Sequence, residues 1–257
     1  MATENTRYKI LLIEDSKLDQ MAFKRMVDNE ELPYGYTVAG SVEEAHTILD
    51  SGQFDIVITD YQLGDGTAFD ILDSVKNTPI ILVTGAGGEE IAITAWKAGI
   101  YDYLIKDAER NYLKILPITV ENAIKHKRTE SQLRLLSHAI MSTDDSVYIA
   151  DMNDEVIFVN RAFCETYGYT KEEVIGKNID ILWADGHQNT EDVETTVYQR
   201  RKDGSEFPVS LTRSDVQDEN GNKVALVVIA RDISEHILTE SLVRTLNKLK
   251  TGNRRMN

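Results

Sequence analysis

Cross-linking and membrane signals are nearly missing from this chain. Its one cysteine, Cys164, rules out an internal disulfide. There is neither a charged-then-apolar leader nor an apolar run of about 18 residues, so a soluble, cytoplasmic protein without membrane insertion is expected. Positive charge is also scarce: 28 basic residues stand against 43 acidic ones, a net charge of −15. Such a surface repels nucleic acid phosphates, and direct nucleic acid binding by the bulk of the chain is disfavoured. P-loop, dinucleotide glycine motif and zinc-ligand cluster are all absent. The 257 residues suit two domains of about 100 to 150 residues each.

What the chain does have is a set of polar residues at the ends of short apolar runs: Glu14-Asp15 after YKILLI, Asp60 closing DIVITD, Thr84 closing PIILVT and Lys106 closing YDYLIK. Runs this short and this rich in Ile, Val and Leu read as strands buried on both faces of a parallel sheet. Strands are expected near 8–14, 35–39, 55–60, 79–84 and 101–105. Helices are expected near 16–29, 41–51, 67–75, 88–98 and from about 116, where Pro117 suits a first turn. Ser41 with Glu44 reads as a capping box. Strict β-α alternation implies right-handed crossovers and an α/β, doubly wound parallel sheet of five strands. In such sheets ligands sit at the carboxyl ends of the strands. Three carboxylates meeting there repel one another unless a cation joins them, and a hard, oxygen-liganded ion, Mg2+, is the expected resident.

From about Ser146 the pattern changes. VYIADMNDEVIFVN reads as two strands around a Met-Asn-Asp turn, followed by the short helical stretch RAFCETYGYT and a capping box from Thr170 to Glu173. Three further strands near 193–201, 206–214 and 223–231 are joined by Asp203-Gly204 and Asn220-Gly221, both strong hairpin signals. This second domain is therefore antiparallel α+β. The fifth helix runs on through 116–141 without Pro or Gly, a rod of roughly 39 Å at about 1.5 Å per residue. Leu133, Leu136 and Ile140 have seam spacing along it. After Glu235 comes an amphipathic helix carrying Leu238, Leu242, Leu246 and Leu249, then Arg254-Arg255.

Over residues 7–125 the ordered set Glu14-Asp15, Asp60 in DYQLGDG, Thr84, Tyr103 and Lys106 resembles the receiver domain of two-component response regulators. Singly, Glu14 or Asp15 could cap the first helix, Thr84 could be an ordinary strand-end residue and Tyr103 a half-buried strand aromatic. In this order they argue for one site. The resemblance implies that Asp60 is the phospho-acceptor, that Asp15, Asp60 and the Gln62 carbonyl hold Mg2+ with Glu14 helping through a water, and that Lys106 meets a phosphoryl oxygen. It makes Thr84, close to solvent at its strand end, the switch hydroxyl and Tyr103 the switch aromatic. Two departures stand out. Asp107 replaces the proline that commonly follows the lysine, so a trans bond is expected there. Leu63-Gly64 and Asp65-Gly66 replace a frequent Met-Pro, which predicts a more flexible loop.

Residues 142–234 resemble a PAS domain, a small sensory and interaction fold, through FVNRAFCETYGYTKEEVIGKN, RRKDGSEFPVSL and VVIARDISE. The stretch between Ile181 and Val193 is shorter than usual for the helix that walls the family's ligand cavity. No tightly bound haem or flavin is therefore expected. His187 reads as a surface residue rather than a haem ligand, and Cys164 as a semi-buried thiol outside any flavin-adduct motif. His126 and His138 read as solvated or seam residues of the linker helix, and His236 lacks a kinase phosphosite's context.

Together these readings divide the chain into a receiver domain (1–128), a linker helix (129–141), a PAS domain (142–234) and a C-terminal helix (235–257). They predict a cytoplasmic response regulator, a phospho-acceptor rather than an enzyme. A sensor histidine kinase is its expected partner, a second protein its downstream target and a homodimer its expected assembly. One alternative is the front part of a longer hybrid histidine kinase. Another is an α/β phosphatase with Asp60 as nucleophile, against which Gln62 stands where the general acid is needed.

Overall fold

The computed structural model describes residues 8–85, 89–184 and 194–253, without the side chains at 89, 194, 195 and 246–253. His187 and most of the 181–193 segment lie outside the described residues, as do the side chains of Leu246 and Leu249. The chain divides into two compact units, Met1–Leu133 and Arg134–Asn257.

In the first unit the elements are β1 (Tyr8–Ile13), α1 (Lys17–Asn29), β2 (Tyr34–Ala39), α2 (Val42–Ser51) and β3 (Ile56–Asp60). A small hairpin, β4 (Gln62–Leu63) and β5 (Gly66–Thr67), leads to a 3-10 helix, Ala68–Ser74. Then come β6 (Ile80–Thr84), α3 (Glu89–Lys97), β7 (Asp102–Ile105) and α4 (Tyr112–Ser142). The parallel sheet has the order β2-β1-β3-β6-β7, the doubly wound, flavodoxin-like arrangement.

The apolar runs explain the two-sided burial. Side chains alternate across a strand, so Ile10 and Leu12 of β1 face one core with Phe23, Leu116 and Val120, while Leu11 and Ile13 face the other with Ala45 and Ile71. Each fully buried aliphatic side chain contributes about 1.5 to 3 kcal/mol. A strand buttressed on both faces holds the residue that follows it firmly, and that residue is Glu14.

Three local expectations are corrected. The segment expected as a third α-helix is a 3-10 helix, because Ala68 and Ile71 are both fully buried and Ser74 reaches His46 Nδ1 at 2.7 Å, a period of three that eclipses on a 3-10 helix. The fifth helix begins at Tyr112, so Pro117 lies inside it. The Asn111 N–H is met by Asp107 Oδ1 at 2.7 Å, which starts the helix early. The capping box at Ser41 is half formed: Ser41 Oγ accepts from the Glu44 N–H at 3.1 Å, but Glu44 Oε2 accepts from Gly40.

The second unit holds β8 (Ser146–Ala150), β9 (Val156–Val159), α5 (Arg161–Tyr167), α6 (Lys171–Val174), β10 (Glu194–Arg200), β11 (Glu206–Gln217), β12 (Lys223–Asp232) and α7 (Ser234–Asn253). Its antiparallel sheet runs β10-β11-β12-β8-β9. Thr170 and Glu173 form the expected capping box, and Gly168 ends α5 at φ 78°, a left-handed position that glycine takes without strain. The core is aromatic: Phe163 stacks on Tyr167 with ring centroids 4.5 Å apart, and Tyr148 and Phe207 meet the pair edge-on. Cys164 packs partly buried against it.

Candidate functional site

β1, β3 and β7 deliver Glu14, Asp60 and Lys106 to one rim of the parallel sheet. Lys106 Nζ lies 2.5 Å from Asp60 Oδ2, 2.7 Å from Glu14 Oε2 and 3.2 Å from Asp19 Oδ2. The backbone fixes the lysine, since its N–H donates to the Thr84 carbonyl at 2.8 Å as a continuation of the β6-β7 ladder. Glu14 is held from two sides: its N–H donates to Ala39 O, and Gln20 Nε2 donates to its carbonyl. Its Oε1 accepts from the Ser16 N–H at 3.1 Å. The side-chain cap of α1 is Ser16, whose Oγ accepts from the Asp19 N–H.

Burial and charge oppose one another here. Burial pushes the Glu14 carboxyl up from its ordinary range, against the lowering pull of the Lys106 hydrogen bond and charge. For Lys106 burial alone would lower the value, but the hydrogen bonds to Asp60 and Glu14 and their charges outweigh it, and the ammonium is held well above the usual lysine range. Tyr112, buried next to Asp19, is pushed up to about 12, chiefly by burial. Beneath the ammonium a cavity of about 20 Å³, bounded by Glu14, Asp19, Asp60, Lys106 and Tyr112, has room for one water molecule.

Glu14, Asp15 and Asp60 present carboxylate oxygens that all lie within 4.8 Å of one another. Counting Asp19 as well gives four negative charges against Lys106 and Arg110, two of which remain unmatched. The excess and the all-oxygen donor set fit a hard divalent cation such as Mg2+. Gln62, two residues past Asp60, is exposed at the start of the β4 hairpin.

Thr84 and Tyr103, expected as the switch pair, stand on the neighbouring strands β6 and β7. Leu82 pairs with Tyr103 and Thr84 with Ile105 in the β6-β7 register. Tyr103 is 39% exposed, while Thr84, expected close to solvent, is 2% exposed under the end of β6. The loop after Asp60 also differs from expectation. Rather than a flexible stretch it is the β4-β5 hairpin, and Asp65 accepts from the Val42 and Glu43 N–H groups at 2.8 and 3.1 Å. Those bonds hold the Asp65 carboxyl below its usual range and cap α2. A side chain at Gly66 would place its Cβ 2.8 Å from Asp70 Oδ2, so the Asp70 carboxylate would have to swing aside. No cis peptide occurs among the described residues, which includes the Lys106-Asp107 bond.

Sequence reasoning gave Asp19, Arg110 and Tyr112 no role, although the structure puts Asp19 and Tyr112 beside Lys106 and pairs Arg110 with Asp19. Asp19 lies in the first turn of α1, four residues past Asp15, and that closeness was the available signal.

The family model described as the response regulator receiver domain matches residues 10–116, and a PAS domain model matches residues 144–235. The chain is 32% identical over 98 residues to the response regulator protein PilR of Pseudomonas aeruginosa, covering 37% of this chain and 21% of that protein. It is 28% identical over 115 residues to the chemotaxis protein CheY of the same organism, covering 41% of this chain and 90% of CheY. It is 27% identical over 207 residues to the bacterioopsin transcriptional activator of Halobacterium salinarum, covering 68% of this chain and 30% of the activator. The chain thus spans about a fifth of PilR and under a third of the activator.

Proposed function

Because the chain joins a response regulator receiver domain to a PAS domain, we propose that it serves a two-component phosphorelay in which Asp60 takes a phosphoryl group from a sensor histidine kinase. The observation that carries this reading is the 2.5 Å contact of Lys106 Nζ with Asp60 Oδ2 at the end of β3. An Asp60 oxygen attacks phosphorus in line, the phosphorus–nitrogen bond of the kinase's phosphohistidine breaks, and the imidazole leaves with the electron pair. Lys106 supplies a point charge for a phosphoryl oxygen. Asp15, Asp60 and the Gln62 carbonyl would hold Mg2+, with Glu14 helping through a water, and the ion would offset negative charge on the transferring group. Thr84 then donates to a phosphoryl oxygen and Tyr103 moves inward from its exposed position, which changes the face of α3 and β7.

The protein is a phospho-acceptor in this reading, with at most self-phosphorylation and autodephosphorylation of its own. The working division is a receiver at 1–128, a linker helix at 129–141, a PAS domain at 142–234 and a C-terminal helix at 235–257. Output runs through protein contact by the receiver face or the PAS domain. The net charge of −15 supports that route over direct nucleic acid contact by this chain, even though one relative is named a transcriptional activator. A cytoplasmic setting belongs to the same reading; no helix among the described residues is long and apolar enough to cross a membrane. The short stretch between Ile181 and Val193 supports a second unit without tightly bound haem or flavin.

A homodimer belongs to the same proposal. Leu133 and Leu136 on α4 and Leu238 and Leu242 on α7 are each more than half exposed, and such leucines need apolar cover. Replacing Leu133 and Leu136 with Glu is expected to lower the mass in light scattering toward one chain. A wild type that is already monomeric at tens of micromolar would refute the dimer.

The chemistry is tested by intact mass after incubation with acetyl phosphate and Mg2+. Wild type should gain one acid-labile phosphoryl group, and Asp60→Asn or excess EDTA should abolish the gain. Phosphorylation that persists in Asp60→Asn would mean another acceptor.

A further inference from the structure

A lysine ammonium has three N–H donors, and Lys106 has three carboxylate partners for them: Asp60 Oδ2 at 2.5 Å, Glu14 Oε2 at 2.7 Å and Asp19 Oδ2 at 3.2 Å. The other Asp19 oxygen, Oδ1, accepts from Arg110 Nη2 at 3.2 Å. Asp60, Lys106, Asp19 and Arg110 thus form an unbroken chain of alternating charge. It leads from the acceptor to a residue just ahead of α4. Asp19 stands outside the trio of carboxylates that suits a cation.

We infer that Asp19 is a positioning residue that competes with a phosphoryl group on Asp60 for the third N–H of Lys106, and that Arg110 sets how strongly it competes. This rests on the reading of Asp60 as phospho-acceptor. With all three donors engaged, Lys106 can reach a phosphoryl oxygen only if one acceptor gives way. The 3.2 Å contact is the weakest, since charge-assisted bonds are strongest near 2.7 to 2.9 Å. Asp19 is also the easiest to release: its side chain is 23% exposed against 6% for Glu14, so water can take up the freed oxygen. Arg110 holds the other oxygen and shares the Asp19 charge. Without Arg110 that whole charge falls on Lys106 and holds it away from the incoming group. Asp19 makes and breaks no covalent bond.

The test is the affinity of the full chain for beryllofluoride, a phosphoryl mimic that bonds to an aspartate oxygen and does not hydrolyse, measured by 19F NMR at saturating Mg2+. Asp19→Asn should tighten binding about fivefold, the equivalent of one partly exposed ion pair. Arg110→Asn should weaken it about two- to threefold by the same measure. Asn suits that position because Arg110 has φ 57°, a conformation Asn tolerates.

A through-space charge effect would give the same two signs, but its contributions would add. The relay requires that Arg110→Asn lose its effect once Asp19 is already Asn. A merely structural Asp19 would weaken binding and lower the melting temperature together, the opposite sign. Asp19→Ser, checked by circular dichroism, stands in where the Asn variant folds poorly. Additive effects in the double variant, or unchanged affinity in both single variants, overturn the inference. A wild type that does not bind beryllofluoride, or that binds equally well as Asp60→Asn, defeats the reading of Asp60 instead.

Discussion

In the first unit the shielded charges gather at one rim, where the buried Glu14 and the part-buried Asp60 and Lys106 stand at the ends of β1, β3 and β7. In the second unit the fully buried polar group of most consequence, Asn160, ties chain segments together. Its Oδ1 accepts from the Val147 and Phe163 N–H groups, and its Nδ2 donates to the Ile140 and Asp145 carbonyls. Both arrangements take polar atoms out of water, but they differ in balance. Asn160 has its donors and acceptors matched, whereas the rim keeps more acids than bases. A matched group stabilises one conformation; a mismatched cluster keeps affinity for a cation or for a group that rearranges its partners.

The largest expected difference follows from Asn160. Replacing it with Ala strands backbone groups around Val147, Phe163, Ile140 and Asp145, and the second unit should lose about 3 kcal/mol in denaturant unfolding. Asn160→Asp keeps the acceptor but sets a buried carboxylate against the Ile140 and Asp145 carbonyls, so it should cost at least as much as Ala. A loss for Ala below about 1 kcal/mol would mean that water replaces the side chain and that the group is not matched in the sense argued here.

Next comes the rim, where the sign depends on which charge is removed. Lys106→Ala leaves Glu14 and Asp60 without their shared cation, and the first unit should lose about 2 kcal/mol, a buried-pair figure discounted for the 14% of the lysine side chain that meets solvent. Asp60→Asn should go the other way in the absence of metal, raising the melting temperature while it removes the proposed phospho-acceptor, because it relieves the repulsion felt by Glu14. If both variants destabilise alike, the rim is balanced after all and the contrast with Asn160 fails.

How far the sequence carried these conclusions depends on the range of the interactions. Local patterns were readable: the alternating burial of Ile10 to Ile13 follows from four consecutive aliphatics, and the chain order of Asp60, Thr84 and Lys106 follows from their places at strand ends. The capping box at Thr170 was readable because both members lie within one turn. Asp65 was not, since the N–H groups it caps lie 22 and 23 residues away, and its Gly-rich surroundings spoke for a flexible loop. Arg110 and Asp19 meet across 91 residues. Pro117 misled because proline favours a first turn, whereas here Asp107 starts the helix earlier.

The smallest effect compares two acids held below the ordinary carboxylate range by different partners, Asp65 in the first unit and Asp145 in the second. Asp145 is lowered chiefly by its hydrogen bonds to Arg231, at 2.8 and 2.6 Å, and then by the guanidinium charge. Asp65 is lowered by the two α2 backbone N–H groups. A depressed folded pKa means that each contribution is fully present above the unfolded value, about 3.9 for Asp, and is lost as pH falls through the lower folded value. Both units should therefore lose stability below about pH 4. Salt separates them, because an ion pair whose Arg231 side chain is 67% exposed is screened at high ionic strength, whereas hydrogen bonds to backbone N–H groups depend less on it. Amide exchange measured near pH 4.5, with and without about 1 M salt, should show protection falling around Ser146 and Ala230, which pair across β8 and β12, while the first turn of α2 stays protected. Equal losses at both places would mean that Asp65 also acts mainly as a charge at a helix end rather than as a hydrogen-bonded cap.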